Sequence, residues 1–202
     1  MRGVLMNAIL EDIPVPITTP RLLLRPPKAG DGAAISEAKR ESWSELQKWM
    51  PWAKGEIDEV QDEILARQNH AKFITREDLM LLAFDKNNPE RLIGSTGLHR
   101  MDWNLRIFEI GYWIRSSETG KGYASEIATS LTLYAFNALK ASKVKINAAQ
   151  GNAASQRVIE KCGFVKEAVL KKDDTLPNGQ VVDTYCYARF DTKGLKGMSV
   201  AW

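Results

Sequence analysis

The sequence predicts an α+β domain whose mixed central sheet begins as an antiparallel meander, continues through one β-α-β crossover and is flanked by helices. Three short apolar segments at residues 80–84, 91–99 and 107–114 are separated by brief polar turns, a pattern typical of consecutive antiparallel strands. A glycine turn at residues 119–122 then leads into a helical segment that reaches residue 139 and a further strand at residues 144–148. Because parallel strands need a long connection, this order indicates a crossover.

Two helices are predicted before the meander. An arm at residues 1–17, which carries Pro14 and Pro16, precedes a short strand at residues 21–25 that ends at Pro26. Residues 31–49 have apolar side chains at three- and four-residue steps, and a second helical pattern runs from about residue 56 to residue 69. The pattern places the folded domain at residues 18–190 and leaves residues 191–202 as a C-terminal tail.

A short helix and a hairpin are predicted at the C-terminal end of the domain. The helical pattern at residues 153–162 ends at Gly163, and glycine is the favoured residue just past a helix. Residues 165–170 and 181–190 then indicate two strands joined across Pro177-Asn178-Gly179.

Composition narrows the class of protein. The 202 residues are 44% hydrophobic, enough for one domain with a continuous core. A net charge of +3 with interspersed acids and bases argues against a nucleic-acid partner. The N-terminus lacks a signal-peptide pattern, and no apolar run approaches the roughly 20 residues of a membrane span. Two cysteines, Cys162 and Cys186, are too few for a disulfide framework or a four-ligand metal site. We therefore expect a cytoplasmic protein with reduced thiols and no metal.

The glycine turn carries the clearest chemical signal. Glycines at 120 and 122 let neighbouring backbone N–H groups converge, and the helix that follows adds free N–H groups and a partial positive charge. This arrangement binds phosphate or pyrophosphate, although a strand-to-helix connector without a ligand would have the same short pattern. A P-loop is excluded by Arg115 and Gly122. A dinucleotide fingerprint lacks its third glycine at Ser125 and its acid about 20 residues downstream.

Several motifs occur in the order of one known family. The segments Ile110–Ile114 and Thr119–Glu126 resemble the coenzyme A motif of the GNAT acetyltransferases, and Asn152–Ser155 followed by Glu160–Phe164 resembles that superfamily's next block. Thr19–Arg25 and Trp49–Trp52 resemble the branch that contains the ribosomal-protein alanine and serine N-terminal acetyltransferases. Over residues 18–190, this resemblance implies the GNAT fold and an acetyl-CoA-dependent N-acetyltransferase.

The resemblance also implies which residues contact the cofactor. Pantetheine would insert beside the strand that ends at Ile114, and the phosphates would lie on the glycine turn. The cofactor-binding residues are then Trp113, Ile114, Arg115, Thr119, Gly120, Lys121, Gly122, Tyr123, Ala124, Ser125, Asn152 and Ser155. The chain departs from the family at Ser117, where Gln or Arg is frequent, and at Ile159, where many members have a tyrosine acid.

Two residues compete for the role of general base. Glu109 projects from the opposite side of its strand to Phe108 and Ile110, and it is our first choice; the alternative interpretation is a rim carboxylate paired with an arginine. His99, at the end of the preceding strand, is the rival because imidazole titrates near neutrality. Ser155 is the candidate donor to the departing sulfur, and Asn152 has the spacing of a helix cap. Cys162 is expected to be structural filler.

The acceptor is less well determined. Trp43, Trp49 and Trp52 would line its groove, or simply pack. An acceptor with an α-amine is favoured because its pKa is about 8, against roughly 10.4 for lysine. More of the α-amine is therefore neutral near pH 7, and a weaker general base is sufficient. The leading hypothesis is therefore acetylation of a protein N-terminus by direct attack in a ternary complex. A small amine, polyamine or antibiotic is the alternative acceptor, and a non-catalytic CoA-binding module is the alternative class. The chain is expected to be a monomer or a homodimer.

Overall fold

The computed structural model describes residues 7–195 and 197–202. Within those residues one mixed sheet runs in the order β1-β2-β3-β4-β5-β6-β8-β7. Its strands are β1 (Ile17–Thr18), β2 (Leu22–Arg25), β3 (Leu79–Asp85), β4 (Leu92–Asp102), β5 (Ile107–Ile114), β6 (Lys143–Ala149), β7 (Val165–Thr175) and β8 (Val181–Arg189). The helices are α1 (Gly32–Trp49), α2 (Glu59–Thr75), α3 (Tyr123–Asn137) and α4 (Ala153–Lys161). The predicted α+β class with a meander and one crossover is confirmed.

The meander formed by β3, β4 and β5 sets the register of the site. Gly97 on β4 lies opposite Gly111 on β5, and His99 lies opposite Glu109. Beyond His99 the register shifts before Asp102 pairs with Ile107, so the two strands bend at Arg100, whose φ is 42°. His99, near the end of β4, and Glu109, near the start of β5, therefore lie side by side next to this irregularity.

The two faces of the sheet are covered by different helices. Alternate strand residues such as Leu82 and Phe84 face α1 and α2, where they pack with Ile35 and Ala66. The opposite face packs against α3 in the larger core cluster, which includes Phe108, Ile110, Ile127, Leu131 and Tyr134. Period-two alternation in the strands thus builds a separate apolar layer on each side.

The second helix is longer than the sequence predicts and begins later. The Asp58 carboxylate accepts the N–H of Val60 at 2.8 Å, and this cap starts the helix at Glu59 instead of residue 56. At the other end the helix continues past Asn69 to Thr75, because Phe73 is buried in the core. The C-terminal cap is Arg76, in the left-handed conformation with φ of 64°.

Segments from both ends of the chain meet beside the core. Thr18 and Ala201 exchange backbone hydrogen bonds of 2.7 and 3.0 Å. The Trp202 ring contacts Tyr134 edge to face at 5.5 Å between ring centres. In the segment before β1, Glu11 forms an ion pair with Arg106 at 2.9 Å. Among the residues described, no helix combines the length and the apolar composition that crossing a bilayer requires.

Candidate active site

A cavity opens where β5 and β6 separate. These parallel strands pair only from Ile107 to Glu109, opposite residues 143–145, and diverge beyond that point. A cavity of about 950 Å³ extends from this gap to the space beneath α1 and α2. The backbone of β5 from Ile110 onward therefore faces the gap without a paired strand on that side, and an extended, amide-containing ligand could pair with it as an added strand.

The glycine turn leaves backbone donors without acceptors. Gly120 and Gly122 have φ values of 77° and 86°, in the left-handed region that glycine adopts without strain. Gly122 is the N-cap of α3, and within the described chain no acceptor takes the N–H groups of Gly120, Lys121 or Gly122. Tyr123, Ala124 and Ser125 form the first turn of that helix, whose N–H groups are free by geometry. The turn is therefore a suitable cradle for phosphate oxygens.

Other residues assigned to the cofactor are already engaged. The Arg115 N–H donates to Ile93 O at 2.8 Å. Its side chain, 2% exposed, pairs with Glu37 and, at 2.7 Å, with Glu41. The Thr119 hydroxyl donates to Ser116 O at 2.8 Å. Arg115 thus fixes the end of β5 to β4 and α1, which leaves the neighbouring turn and strand residues to contact a cofactor.

The end of β5 and the start of α4 meet in a pair of hydroxyls. Asn152 caps α4 by accepting the N–H of Ser155 at 3.1 Å, as its spacing predicted. The Ser155 hydroxyl lies 3.1 Å from that of Tyr112, and Trp113, the next residue of β5, lines the cavity. Ile114, in contrast, packs its side chain against the core. Burial raises the pKa of Tyr112 to about 12, so this hydroxyl keeps its proton at neutral pH.

His99 lies on a floor made by two glycines. Its Nδ1 is 2.8 Å from Asp78 Oδ2, a carboxylate at the edge of the same cavity. Gly97 and Gly111 are cross-strand partners beneath the ring. An added Cβ would lie 2.8 Å from His99 Cε1 at Gly97 and 2.9 Å from His99 Cδ2 at Gly111. The two glycines therefore make room for the imidazole, and the carboxylate holds Nδ1.

Glu109 is buried among cations. It is 2% exposed, forms an ion pair with Arg100, and has Lys145 Nζ at 3.5 Å from its other oxygen. The bond to Glu109 raises the pKa of Arg100. Both oxygens of the carboxylate are therefore engaged by cations. The alternative interpretation, a carboxylate paired with an arginine, describes this geometry.

The tryptophans form one wall of the cavity. Trp49 and Trp52 line it, together with Trp113 of β5. The Trp52 ring centre lies 6.4 Å from that of Trp113 and 6.5 Å from that of Trp43, which stands behind it. Trp52 is 47% exposed, so the wall faces solvent as a groove with an apolar surface.

Cys162 is at the end of α4 rather than in the cavity lining. Its Sγ is 3.6 Å from the carbonyl of Ser125 and 3.7 Å from the hydroxyl of Thr129. Burial raises the pKa of this thiol, which disfavours the thiolate that a nucleophile needs.

Comparison with known proteins identifies the family. The model of the acetyltransferase (GNAT) domain matches residues 21–165. The chain belongs to the GNAT acetyltransferase family. It is 28% identical over 172 residues to the uncharacterized N-acetyltransferase YoaA of Bacillus subtilis (strain 168), over 85% of this chain and 94% of the relative.

Two solved structures show the same fold. Microcin C7 self-immunity acetyltransferase MccE, in complex with acetyl-CoA and AMP, has a TM-score of 0.78 at 19% identity, over 85% of this chain and 93% of the other. RimL, the ribosomal L7/L12 α-N-protein acetyltransferase in complex with coenzyme A, has a TM-score of 0.77 at 22% identity, over 86% and 96%.

As a member of this family, the chain is an acetyl-CoA-dependent N-acetyltransferase, and its residues fit that donor. The gap beside β5 and the unpaired donors of the glycine turn are the two features that a pantetheine arm and a pyrophosphate require.

Sequence reasoning missed the partners of the site residues. It gave no role to Asp78, which holds His99, or to the Tyr112 hydroxyl beside Ser155. These partners are 21 and 43 residues away along the chain, and no local pattern links them. The one sequence signal for Tyr112 was the alternation along β5, which places its side chain on the opposite face of the sheet from residues 109 and 111.

Proposed function

We propose that this GNAT enzyme acetylates the N-terminal α-amine of a protein, by direct attack on acetyl-CoA in a ternary complex. The observation that carries the proposal is a single cavity that joins the β5–β6 gap to the Asp78–His99 pair and to a tryptophan-lined groove. One end suits the donor, and the other suits a peptide terminus, which approaches through an open groove rather than a closed pocket.

His99 is the proposed general base. With Nδ1 held by Asp78, the ring presents Nε2 as the proton acceptor, in the orientation that a neighbouring carboxylate gives a catalytic imidazole. The sequence favoured Glu109 for this role, but the cations Arg100 and Lys145 occupy its carboxylate. The proposed role of Glu109 is instead to neutralise the charges of Arg100 and Lys145 at the edge of the acceptor site.

The Tyr112–Ser155 pair is proposed to stabilise the departing thiolate. Burial raises the pKa of Tyr112 to about 12, well above the roughly 8.5 of a free thiol. A proton would therefore not move from Tyr112 to the sulfur, and the pair acts by donating a hydrogen bond. The thiolate takes its proton from water.

The α-amine preference follows from the proton balance. At pH 7 about 10% of an amine with a pKa of 8 is neutral, against about 0.04% of a lysine amine with a pKa of 10.4. This difference of roughly 250-fold in the neutral fraction favours a terminal amine over a lysine amine as acceptor. The names of relatives such as RimL agree with this class of acceptor.

An acceptor panel tests the function. A peptide with a free N-terminal Ala or Ser, the same peptide blocked at its terminus but carrying lysine, and spermidine would each be incubated with acetyl-CoA, with thiol release and product mass recorded. We expect acetylation of the first alone. Acetylation of the blocked peptide or of spermidine would replace the proposed acceptor. Silence with all three would overturn the proposed acceptor.

Two isosteric substitutions test the base. His99→Gln is expected to lower kcat by roughly 10²- to 10⁴-fold, because the group that accepts the amine proton is removed. Glu109→Gln is expected to lose less activity than His99→Gln, and to lose it mainly through the uncompensated Arg100 and Lys145. If Glu109→Gln is by far the slower variant and His99→Gln turns over nearly as the wild type does, the base is Glu109.

A further inference from the structure

Arg21 connects the start of β2 to the glycine turn. Its Nε donates to Glu126 Oε2 at 2.6 Å, and its Nη1 donates to the carbonyl of Lys121 at 2.9 Å. The guanidinium also lies over the ring of Tyr123, 4.1 Å from its centre. One side chain thus contacts the glycine turn, the first residue of α3 and a carboxylate in the first turn of that helix.

Glu126 anchors this connection inside the protein. Its side chain is 6% exposed and accepts the Thr19 hydroxyl at 2.6 Å and the Arg21 N–H at 3.0 Å, in addition to the guanidinium. A buried carboxylate with this many donors is held in one position. The segment Thr19–Arg21 is therefore fixed to the first turn of α3, which lies more than 100 residues further along the chain.

The charge of Arg21 is compensated locally. Glu126 neutralises it at 2.6 Å, just as Glu118 takes Lys121 Nζ at 3.0 Å on the other side of the turn. The turn itself contains Gly120 and Gly122, so its own backbone restricts it weakly. What Arg21 supplies is geometry: its bond fixes the carbonyl of Lys121, and because the peptide bond is trans, the N–H of Gly122 is held pointing the opposite way.

We propose that Arg21 is a positioning residue for acetyl-CoA, acting through the carbonyl of Lys121 and through Glu126 to keep the glycine turn in its binding conformation. The inference rests on the proposed placement of the cofactor phosphates on this turn. Preorganisation of this kind raises affinity by removing the entropy cost of ordering the turn when the ligand binds.

Arg21→Lys separates geometry from charge. Lysine keeps the positive charge but loses the planar, multidentate donor set that reaches Glu126 and Lys121 together. We expect the Kd and the KM for acetyl-CoA to rise by about tenfold or more, with kcat at saturating acetyl-CoA and the KM for the acceptor peptide nearly unchanged. A role in charge alone would leave acetyl-CoA affinity intact in this variant.

Arg25→Lys is the matched control. Arg25 is the last residue of β2, the strand that follows Arg21, and it pairs with Asp31 at 2.7 Å and stacks on Phe84 at 4.3 Å. Its variant should lower Tm without changing acetyl-CoA affinity. Glu126→Gln provides a second disruption of the clamp that keeps side-chain shape, and it should shift acetyl-CoA affinity in the same direction as Arg21→Lys.

Calorimetry, steady-state kinetics and thermal melts on the three variants and on Gly122→Arg decide the outcome. If Arg21→Lys and Glu126→Gln bind acetyl-CoA as the wild type does, or if Arg25→Lys shifts affinity equally, the positioning role is wrong. If Gly122→Arg also leaves acetyl-CoA binding unchanged, the placement of the phosphates on the turn is wrong as well. Loss of binding in Gly122→Arg with wild-type affinity in the clamp variants would overturn the role of Arg21 alone.

Discussion

A methyl group added at Gly111 would enter the space of the His99 ring. The added Cβ would lie 2.9 Å from Cδ2 and 3.3 Å from Nε2, whereas carbon atoms in van der Waals contact are about 3.5–4.0 Å apart. The ring must therefore move by roughly 0.5–1 Å. Gly111 lies inside strand β5 and its φ is not positive, so alanine is compatible with the backbone and the imidazole has to give way.

The two consequences of Gly111→Ala differ in size. Overpacking of this kind costs about 1–3 kcal/mol, and His99 is partly exposed, which favours the lower half of that range. Displacement of a catalytic group by about 1 Å costs on the order of 10²-fold in rate. We therefore expect kcat to fall by about two orders of magnitude while the protein remains folded and binds acetyl-CoA.

A double-variant cycle makes the assay specific. Steady-state kinetics with a peptide acceptor, acetyl-CoA calorimetry and a thermal melt would be measured for Gly111→Ala, His99→Gln and the two together. Because both substitutions act through the imidazole, the double variant should be no slower than His99→Gln alone. Full turnover in Gly111→Ala, or additive losses in the double variant, would refute the role of His99 and its glycine floor.

Three further predictions follow from contacts around the site. Asn152→Ala removes the cap of α4, and a loss of about 1 kcal/mol, or roughly 2–4 °C in Tm, is expected by calorimetry, with a lower kcat because Ser155 shifts. Tyr112→Phe removes the hydroxyl next to Ser155, and kcat should fall several-fold with little change in the KM for acetyl-CoA; an unchanged kcat would remove Tyr112 from the mechanism. The hydrogen bond from Arg91 holds the pKa of Glu118 below its ordinary 4.5. The contribution of the Arg91–Glu118 pair to stability is therefore present above pH 4.5 and lost as the pH falls below that value. Arg91→Leu should consequently flatten the decline of Tm between about pH 5 and pH 3. An equally steep decline in the variant would contradict the pairing.

Local pattern was sufficient for most of the fold. The predicted strand at residues 107–114 coincides with β5, because clear alternation and turns on both sides define it. The end of α2 was missed because Gln68, Asn69 and His70 interrupt its apolar stripe, and the burial of Phe73 becomes visible only when the sheet is in place. Tertiary packing extended the helix beyond its sequence pattern.

The site was predictable to the extent that it is local. The glycine turn and the Asn152 cap depend on neighbouring residues, and both have the expected geometry. The pairing of Glu109 with Lys145 depends on strand register between β5 and β6, and the contact of Arg21 with Glu126 joins distant segments. Such contacts decide which group is free to act, and periodicity does not encode them.

The three-residue pairing of β5 with β6 has a thermodynamic consequence. From Ile110 onward, the middle of the sheet contains an edge whose hydrogen-bonding capacity is completed by whatever chain lies in the gap. A ligand that completes it binds the folded state alone, so it stabilises the protein by about 2.7 kcal/mol at a hundred times its Kd. At roughly 2–4 °C per kcal/mol for a domain of this size, the melting temperature should report occupancy of the gap. A screen of acyl donors can therefore use the rise in melting temperature to detect those that bind in the gap.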